Sequence, residues 1–186
     1  TTEREVSVTG NHVRNVVETL WDAGCIYTLS AHPSSSISGN FCENSGQLGL
    51  YFDEGSRYFS ATGNVFRNTA GQWAHANNQS GNLTGDMTLT GNYTTNSSIT
   101  GLVDGQRGNT VRNNTTFNAS SPPAEASRIM ADAGPRDGGS GSTTGVLRST
   151  SANRCLDVPN SATTNGTQVQ IWDCHTGANQ QWTYTA

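Results

Sequence analysis

The sequence predicts an all-β protein in two parts. Right-handed parallel β-helix coils fill residues 1–118, a short capping helix follows at 119–135, and a Gly/Ser linker at 136–145 leads to a smaller β lobe at 146–186. Three observations predict this. A short Gly-Asn motif recurs through the first two thirds of the chain, apolar residues fall in runs too short for helical periodicity, and four cysteines sit as two local pairs, Cys25 with Cys42 and Cys155 with Cys174.

The motif is an apolar or β-branched residue, a small residue, Gly-Asn and a further apolar residue. It reads Val8-Thr9-Gly10-Asn11-His12-Val13, Ile37-Ser38-Gly39-Asn40-Phe41, Ala61-Thr62-Gly63-Asn64-Val65 and Leu89-Thr90-Gly91-Asn92-Tyr93, with Val111-Arg112-Asn113-Asn114-Thr115 closing the series. The glycines, with Asn113 in the last copy, step by 29, 24, 28 and 22 residues. A second apolar run falls once per period, at residues 25–29, 48–52, 72–74 and 99–103. Two or three strands per period with uneven turns describe coils that bury their inward side chains on one another. The glycine supplies a turn with positive φ, and stacked asparagines can bond along a ladder. The repeated asparagines, and sequons such as those at Asn82 and Asn92, therefore read as structural.

The repeat stops at Ser121-Pro122-Pro123. Ser121 can cap a helix, proline suits a first turn, Glu125 sits at the positive end, and Gly134-Pro135 ends it. Such a helix would cover the open edge of the last coil. Residues 136–145 then have the composition of an exposed flexible linker.

The net charge is -4 and every one of the ten basic residues is arginine. Without lysine or a basic cluster, a nucleic-acid or anionic-membrane partner and any lysine-based chemistry are excluded. No apolar run is long enough to span a membrane, and Thr1-Thr2-Glu3-Arg4-Glu5 reads as an internal or processed start. The even cysteine count favours disulfides and secretion, although Cys25 and Cys42 could equally be buried thiols. His32 and His75 are too isolated to ligate a metal, and no cofactor is implied.

Two acidic sites flank the apolar runs, Asp22 in Trp21-Asp22-Ala23-Gly24 and Asp53 in Phe52-Asp53-Glu54-Gly55. Counted from the preceding motif glycine, Asp22, Asp53 and His75 lie 12, 14 and 12 residues on; counted to the following one, the alignment breaks. On adjacent coils, about 4.7–4.9 Å apart, Asp22 and Asp53 could form the carboxyl pair of a glycosidase. One would protonate the leaving oxygen while the other attacks or activates water. Tyr27, Tyr51, Trp21 and Trp73 would line subsites, with Glu54 and His75 beside them. Both aspartates could instead cap turns. This stretch resembles secreted parallel β-helix glycosidases of actinobacterial type. The rivals are a polysaccharide lyase, whose base could only be Arg57 or Arg67, and a non-catalytic β-helical binder.

After the linker come Arg154-Cys155-Leu156-Asp157-Val158, Gln170-Ile171-Trp172-Asp173-Cys174 and Asn179-Gln180-Gln181-Trp182. This order and spacing resemble one lobe of a ricin B-type lectin, as found in family 13 carbohydrate-binding modules. The resemblance implies a β-trefoil lobe for a galactose-type sugar, with Asp157 accepting from ring hydroxyls and Trp172 stacking on the pyranose face. Gln170, Asn179 and Gln180 would add polar contacts, Trp182 would be core, and Cys155 would be bonded to Cys174. A trefoil has three such lobes and this chain shows one. The expectation is that the remaining lobes, and coils before Thr1, belong to a longer protein.

Overall fold

A computed structural model describes residues 4–19, 21–79, 81–135 and 143–184, and the chain divides into two compact units, 1–135 and 136–186. Alternation of inward apolar and outward polar residues makes each coil of the first unit a set of short strands, and like strands of successive coils pair in parallel into three sheets. The first sheet holds Ser7–Thr9, Ala31–Ser38, Arg57–Thr62, Thr88–Thr90 and Thr110–Arg112. The second holds His12–Val16, Phe41–Ser45, Val65–Thr69, Tyr93–Thr94 and Thr115–Thr116. The third holds Gly24–Thr28, Leu48–Phe52, Ala74–Ala76 and Ile99–Thr100. Four coils thus pass through all three sheets and a fifth through two, a parallel β-solenoid. Inside it the stacked ranks Ile37, Ala61 and Leu89, then Ile26, Leu50 and Ala74, then Cys42 and Phe66, form one core.

The motif does what its composition requires. Gly10, Gly39, Gly63 and Gly91 all have φ between 61° and 66°, and Asn113 takes the same place at 58°. The following asparagines form a continuous ladder. The amide Nδ2 of Asn11, Asn40, Asn64 and Asn92 each donates to Oδ1 of the next asparagine at 2.9 Å, ending on Asn114. The second Nδ2 hydrogen of Asn40, Asn64, Asn92 and Asn114 goes to a carbonyl of the coil before, on Val8, Ile37, Ala61 and Leu89. Each Oδ1 also accepts the backbone N–H of the preceding asparagine. A second ladder, Asn15 with Asn44 and Asn68, runs on the surface at positive φ and was not visible in the repeat pattern.

Cys25 and Cys42 are bonded to each other, tying the third sheet of the first coil to the second sheet of the next with Cα atoms 6.1 Å apart. Helix α1, Ala124–Asp132, corrects one expectation. It does not close the last coil. It lies across the outer face of the second sheet, where Ala126, Ile129 and Met130 pack on Phe41, Val65, Tyr93 and Phe117. Its nine residues rise about 14 Å, the width of three strand spacings, and Gly134 N–H then bonds Gly10 O of the first coil at 2.7 Å. Outward apolar residues on that sheet explain the placement, because the helix buries them. Ser121 does not cap it either: the N-cap is Pro123, whose extended ψ of 152° delays the first helical residue to Ala124.

The second unit consists of two antiparallel strand pairs, Thr143–Gly145 with Trp182–Tyr184 and Cys155–Asp157 with Gln170–Trp172. A disulfide joins Cys155 and Cys174. The first of these strands lies within the segment expected to be a linker, and the rest of that segment, 136–142, lies outside the described residues.

The two ladders give a direct stability test. Asn64→Ala strands buried donors and acceptors on both neighbouring coils, and should cost roughly 2–4 kcal/mol. Asn68→Ala, in the exposed ladder, should cost under about 1 kcal/mol. Thermal melts of the two variants beside the parent read the difference.

Candidate functional site

The outward face of the third sheet carries one rank of aromatic rings. Tyr27, Tyr51 and His75 occupy equivalent positions on three successive coils. Their rings touch, with centroids 5.2 Å apart for Tyr27–Tyr51 and 5.3 Å for Tyr51–His75. Asp53 follows two residues after Tyr51, so it shares that face at the strand end. Asp22 arrives by another route. The connection from Val16 to Gly24 is five residues longer than the paired connection from Ser45 to Leu48, and this extra length, with φ of 68° at Asp22, folds the carboxylate over the rank.

The two carboxylates meet on a single phenol oxygen. Tyr51 Oη lies 2.7 Å from Asp22 Oδ1 and 3.3 Å from Asp53 Oδ1, so these oxygens are no more than about 6 Å apart. Asp53 is 8 % exposed and densely held. Its Oδ2 accepts the Tyr27 hydroxyl and its Oδ1 accepts Asn77 Nδ2 at 2.8 Å. Burial pushes the Asp53 carboxyl up, but donation from Tyr27, Asn77, the Glu54 backbone N–H and Tyr51 outweighs it and holds the group below the usual carboxylate range. The hydrogen bond to Asp53, then burial, raises the Tyr27 phenol to about 12. Burial and the bond to Asp22 raise Tyr51 as well. Burial lowers His75 despite the nearby negative charge of Asp53, and its Nδ1 is buried without a partner among the described residues.

The structure therefore gathers Asp22, Asp53, Tyr27, Tyr51 and His75, with Glu54 beside them accepting from Asn82 at 3.4 Å. It does not bring in Trp73. That side chain is 3 % exposed and packs on Phe66 in the core, because Trp73 stands at the bend ahead of strand Ala74–Ala76 and so escapes the alternation that would place it on the face of His75. Trp21 is exposed at the rim, in the long connection. Asn77 was missed by sequence reasoning; it lies just after the strand end of the next coil, one step from Asp53 in space though 24 residues away in sequence. Arg57 and Arg67 are both engaged elsewhere, with Asp86 and with Glu43.

In the second unit, Asp157 and Gln170 face each other across a strand pair, and Cys155 faces Trp172. Alternation puts Trp172 on the same face as Gln170 and Asp157, so an aromatic platform stands beside the carboxylate. Trp172 is 54 % exposed, Asp157 only 2 %. Asp157 accepts from Gln170 Nε2 at 2.9 Å, Asn179 Nδ2 at 2.8 Å and Gln180 Nε2 at 2.9 Å. Donation from Gln170 and Gln180 holds its pKa below the ordinary carboxylate value, with a smaller contribution from His175.

Gln180 departs from the expected role. It is fully buried and bridges Asp157 to Asp173 O and His175 N–H, so it fixes the carboxylate and cannot touch a sugar. Both described donations of Asn179 Nδ2 stay inside the lobe, to Asp157 and Val158 O. His175, 3.5 Å from Asp157 and half-exposed, is a site residue the motif did not reveal. Trp182 is half-buried, and its indole N–H donates to Leu156 O at 3.0 Å. Leu147 and Ile171 are exposed.

Comparison with known families agrees with this geometry in the second unit: residues 143–186 match the Ricin-type beta-trefoil lectin domain. No solved structure matches the chain. The protein is thus a β-solenoid joined to a lectin-type, carbohydrate-binding lobe. No described helix is long and apolar enough to cross a membrane.

The lowered carboxyls give each unit an acid signature. A folded pKa below the unfolded one contributes stability that is present above about pH 4 and lost as pH falls through the folded value. The melting-temperature gap between the parent and Asp53→Asn, or Asp157→Asn, should therefore shrink between about pH 5 and pH 2. A gap that stays constant over that window counts against the ionised carboxylates as its source.

Proposed function

We propose that this protein is a secreted glycoside hydrolase acting on a polysaccharide or oligosaccharide, with catalysis at Asp22 and Asp53 and a lectin-type lobe that holds it on a galactose-type sugar. The observation that carries the reading is the meeting of two carboxylates from adjacent coils on Tyr51 Oη, within about 6 Å of each other. That spacing suits the short carboxyl separation of a retaining enzyme better than the longer one of an inverting enzyme. Two disulfides suit an oxidising, extracellular setting.

In the first step Asp53 attacks the anomeric carbon. The bond to the leaving oxygen breaks with its electron pair, and that oxygen takes the proton of Asp22. In the second step Asp22 takes a proton from water as the water oxygen displaces the Asp53 ester, which restores both groups and releases the sugar. Tyr27, exposed at the edge of the rank, and Trp21 at the rim offer apolar faces to the substrate, and His75 and Glu54 lie alongside. In the lobe, Trp172 stacks on the sugar while Asp157, Gln170 and Asn179 form the polar side. A lyase is the weaker reading, because Arg57 and Arg67 are each held in an ion pair and there is no lysine.

Assays on plant and fungal polysaccharides test the solenoid. New reducing ends are expected, with kcat falling about 10²–10⁴-fold in Asp22→Asn and turnover abolished in Asp53→Asn. Unsaturated products would instead indicate a lyase, and full activity in either variant sinks the assignment. For the lobe, retention on immobilised galactose should weaken on the order of tenfold in Trp172→Ala. Unchanged retention would remove the stacking role.

A further inference from the structure

We infer, resting on the glycosidase reading above, that the Asp22–Asp53 site selects its substrate by charge: it takes a neutral glycan and turns away sugars that carry a carboxylate beside the scissile bond.

Charge is unevenly spread over the solenoid unit. Glu43, Asp86, Asp104, Glu125 and Asp132 each lie in an ion pair with an arginine. Among the described residues, the carboxylates of this unit without such a partner are Glu5, Glu18, Asp22, Asp53 and Glu54. Four of these five lie in the connections that flank the third sheet. Glu18 and Asp22 lead into strand Gly24–Thr28, and Asp53 and Glu54 leave strand Leu48–Phe52. Asp53, through its hydrogen bond and its charge, and then Asp22 and Glu54 all raise the Tyr27 phenol, so three negative groups converge on one ring.

No described cation offsets them. On the outward rank, Tyr27 and Tyr51 are held as neutral phenols, and burial keeps the His75 imidazole neutral at pH 7. Arg57 is committed to Asp86 through both Nε and Nη2. Arg107 stands in the matching turn two coils beyond Glu54, a step of roughly 9–10 Å, beside that same ion pair. No arginine is among the charges that act on His75. The described residues also form no group of three ligands able to seat a cation that would bridge to a substrate carboxylate. What the groove presents instead is apolar. Trp21 is 77 % exposed and Tyr27 46 %, and such rings stack on the hydrogen-bearing face of a neutral pyranose. A uronate in the same place would bring a further negative charge beside Asp53 and Glu54, at a range where like charges repel and salt screens them only in part. Asp53 must be ionised to attack, so the repulsion is present at every working pH.

Matched polymers make the test, because linkage and stereochemistry stay constant within a pair. One pair is a neutral plant or fungal polysaccharide and the same polymer with its primary alcohols oxidised to carboxylates; the other is polygalacturonan and its carboxyl-reduced, neutral form. The full chain carrying Trp172→Ala is used, so that retention by the lobe is weakened in every arm. At low salt, kcat/KM on the neutral member should exceed that on its acidic partner by about 100-fold or more. Raising the ionic strength should narrow the gap, and Glu54→Gln should narrow it by about three- to tenfold. Calorimetric binding of oligosaccharides cut from the same pairs reads the preference without turnover. Equal or faster hydrolysis of the acidic member overturns the inference and leaves the glycosidase reading standing. A preference for the neutral member that neither salt nor Glu54→Gln moves rests on shape and overturns selection by charge. Tighter, salt-sensitive preference for the neutral oligosaccharide with no hydrolysis of any polymer upholds the charge selection and rejects the glycosidase reading. Neither binding nor hydrolysis rejects both.

Discussion

The buried asparagine ladder is the interaction on which the solenoid depends. A parallel stack of coils has no hairpin turns to fix its register, and apolar residues alone would tolerate sliding. From Asn40 to Asn92 each asparagine bonds the coil before and the coil after, through both its amide and its oxygen, and is buried from solvent. A slip by one residue would leave several buried donors without acceptors at once. The ladder sits at the turn between the first and second sheets, so it sets the phase of everything that follows in a coil. The rank Tyr27, Tyr51, His75 on the third sheet is one consequence.

The site is built where that regularity is broken. Between the second and third sheets the first coil spends five more residues than the second, and the excess carries Asp22. Asp53, in contrast, sits at the end of a regular strand. One carboxylate is thus held rigidly by Tyr27 and Asn77, and the other is delivered by an irregular connection to meet it at Tyr51. The repeat supplies fixed dipoles and donors, and the departure from it supplies the more exposed carboxylate.

The lectin-type lobe solves a related problem at much smaller scale. It has few strands and one disulfide, yet it keeps an ionised carboxylate buried by surrounding it with side-chain amides. The amide of Gln180 reads as sugar-binding in the motif, but its side chain is enclosed and serves Asp157 instead. What the lobe offers outward is Trp172, with His175 and the edge of the Asp157 cluster beside it.

By itself the sequence determined the elements that depend on local chemistry. Glycine at positive φ, asparagine able to bond along a stack, alternating short apolar runs and the Cys155 and Trp172 motifs each carry their meaning in a few residues, so the solenoid and the lobe were legible. Tertiary structure alone decided whatever depends on which coil lies beside which. Trp73 has the same composition cues as an outward aromatic, and only the bend ahead of strand Ala74–Ala76 turned it into the core. Helix α1 is announced by its prolines and stopped by Gly134-Pro135, but the apolar face it covers is assembled from four different coils. Asp22 and Asp53 align by one count and not by another, because spacing in sequence cannot register a connection that leaves the coil and returns. Their meeting at Tyr51 Oη is a contact across coils, and distance along the chain does not encode it.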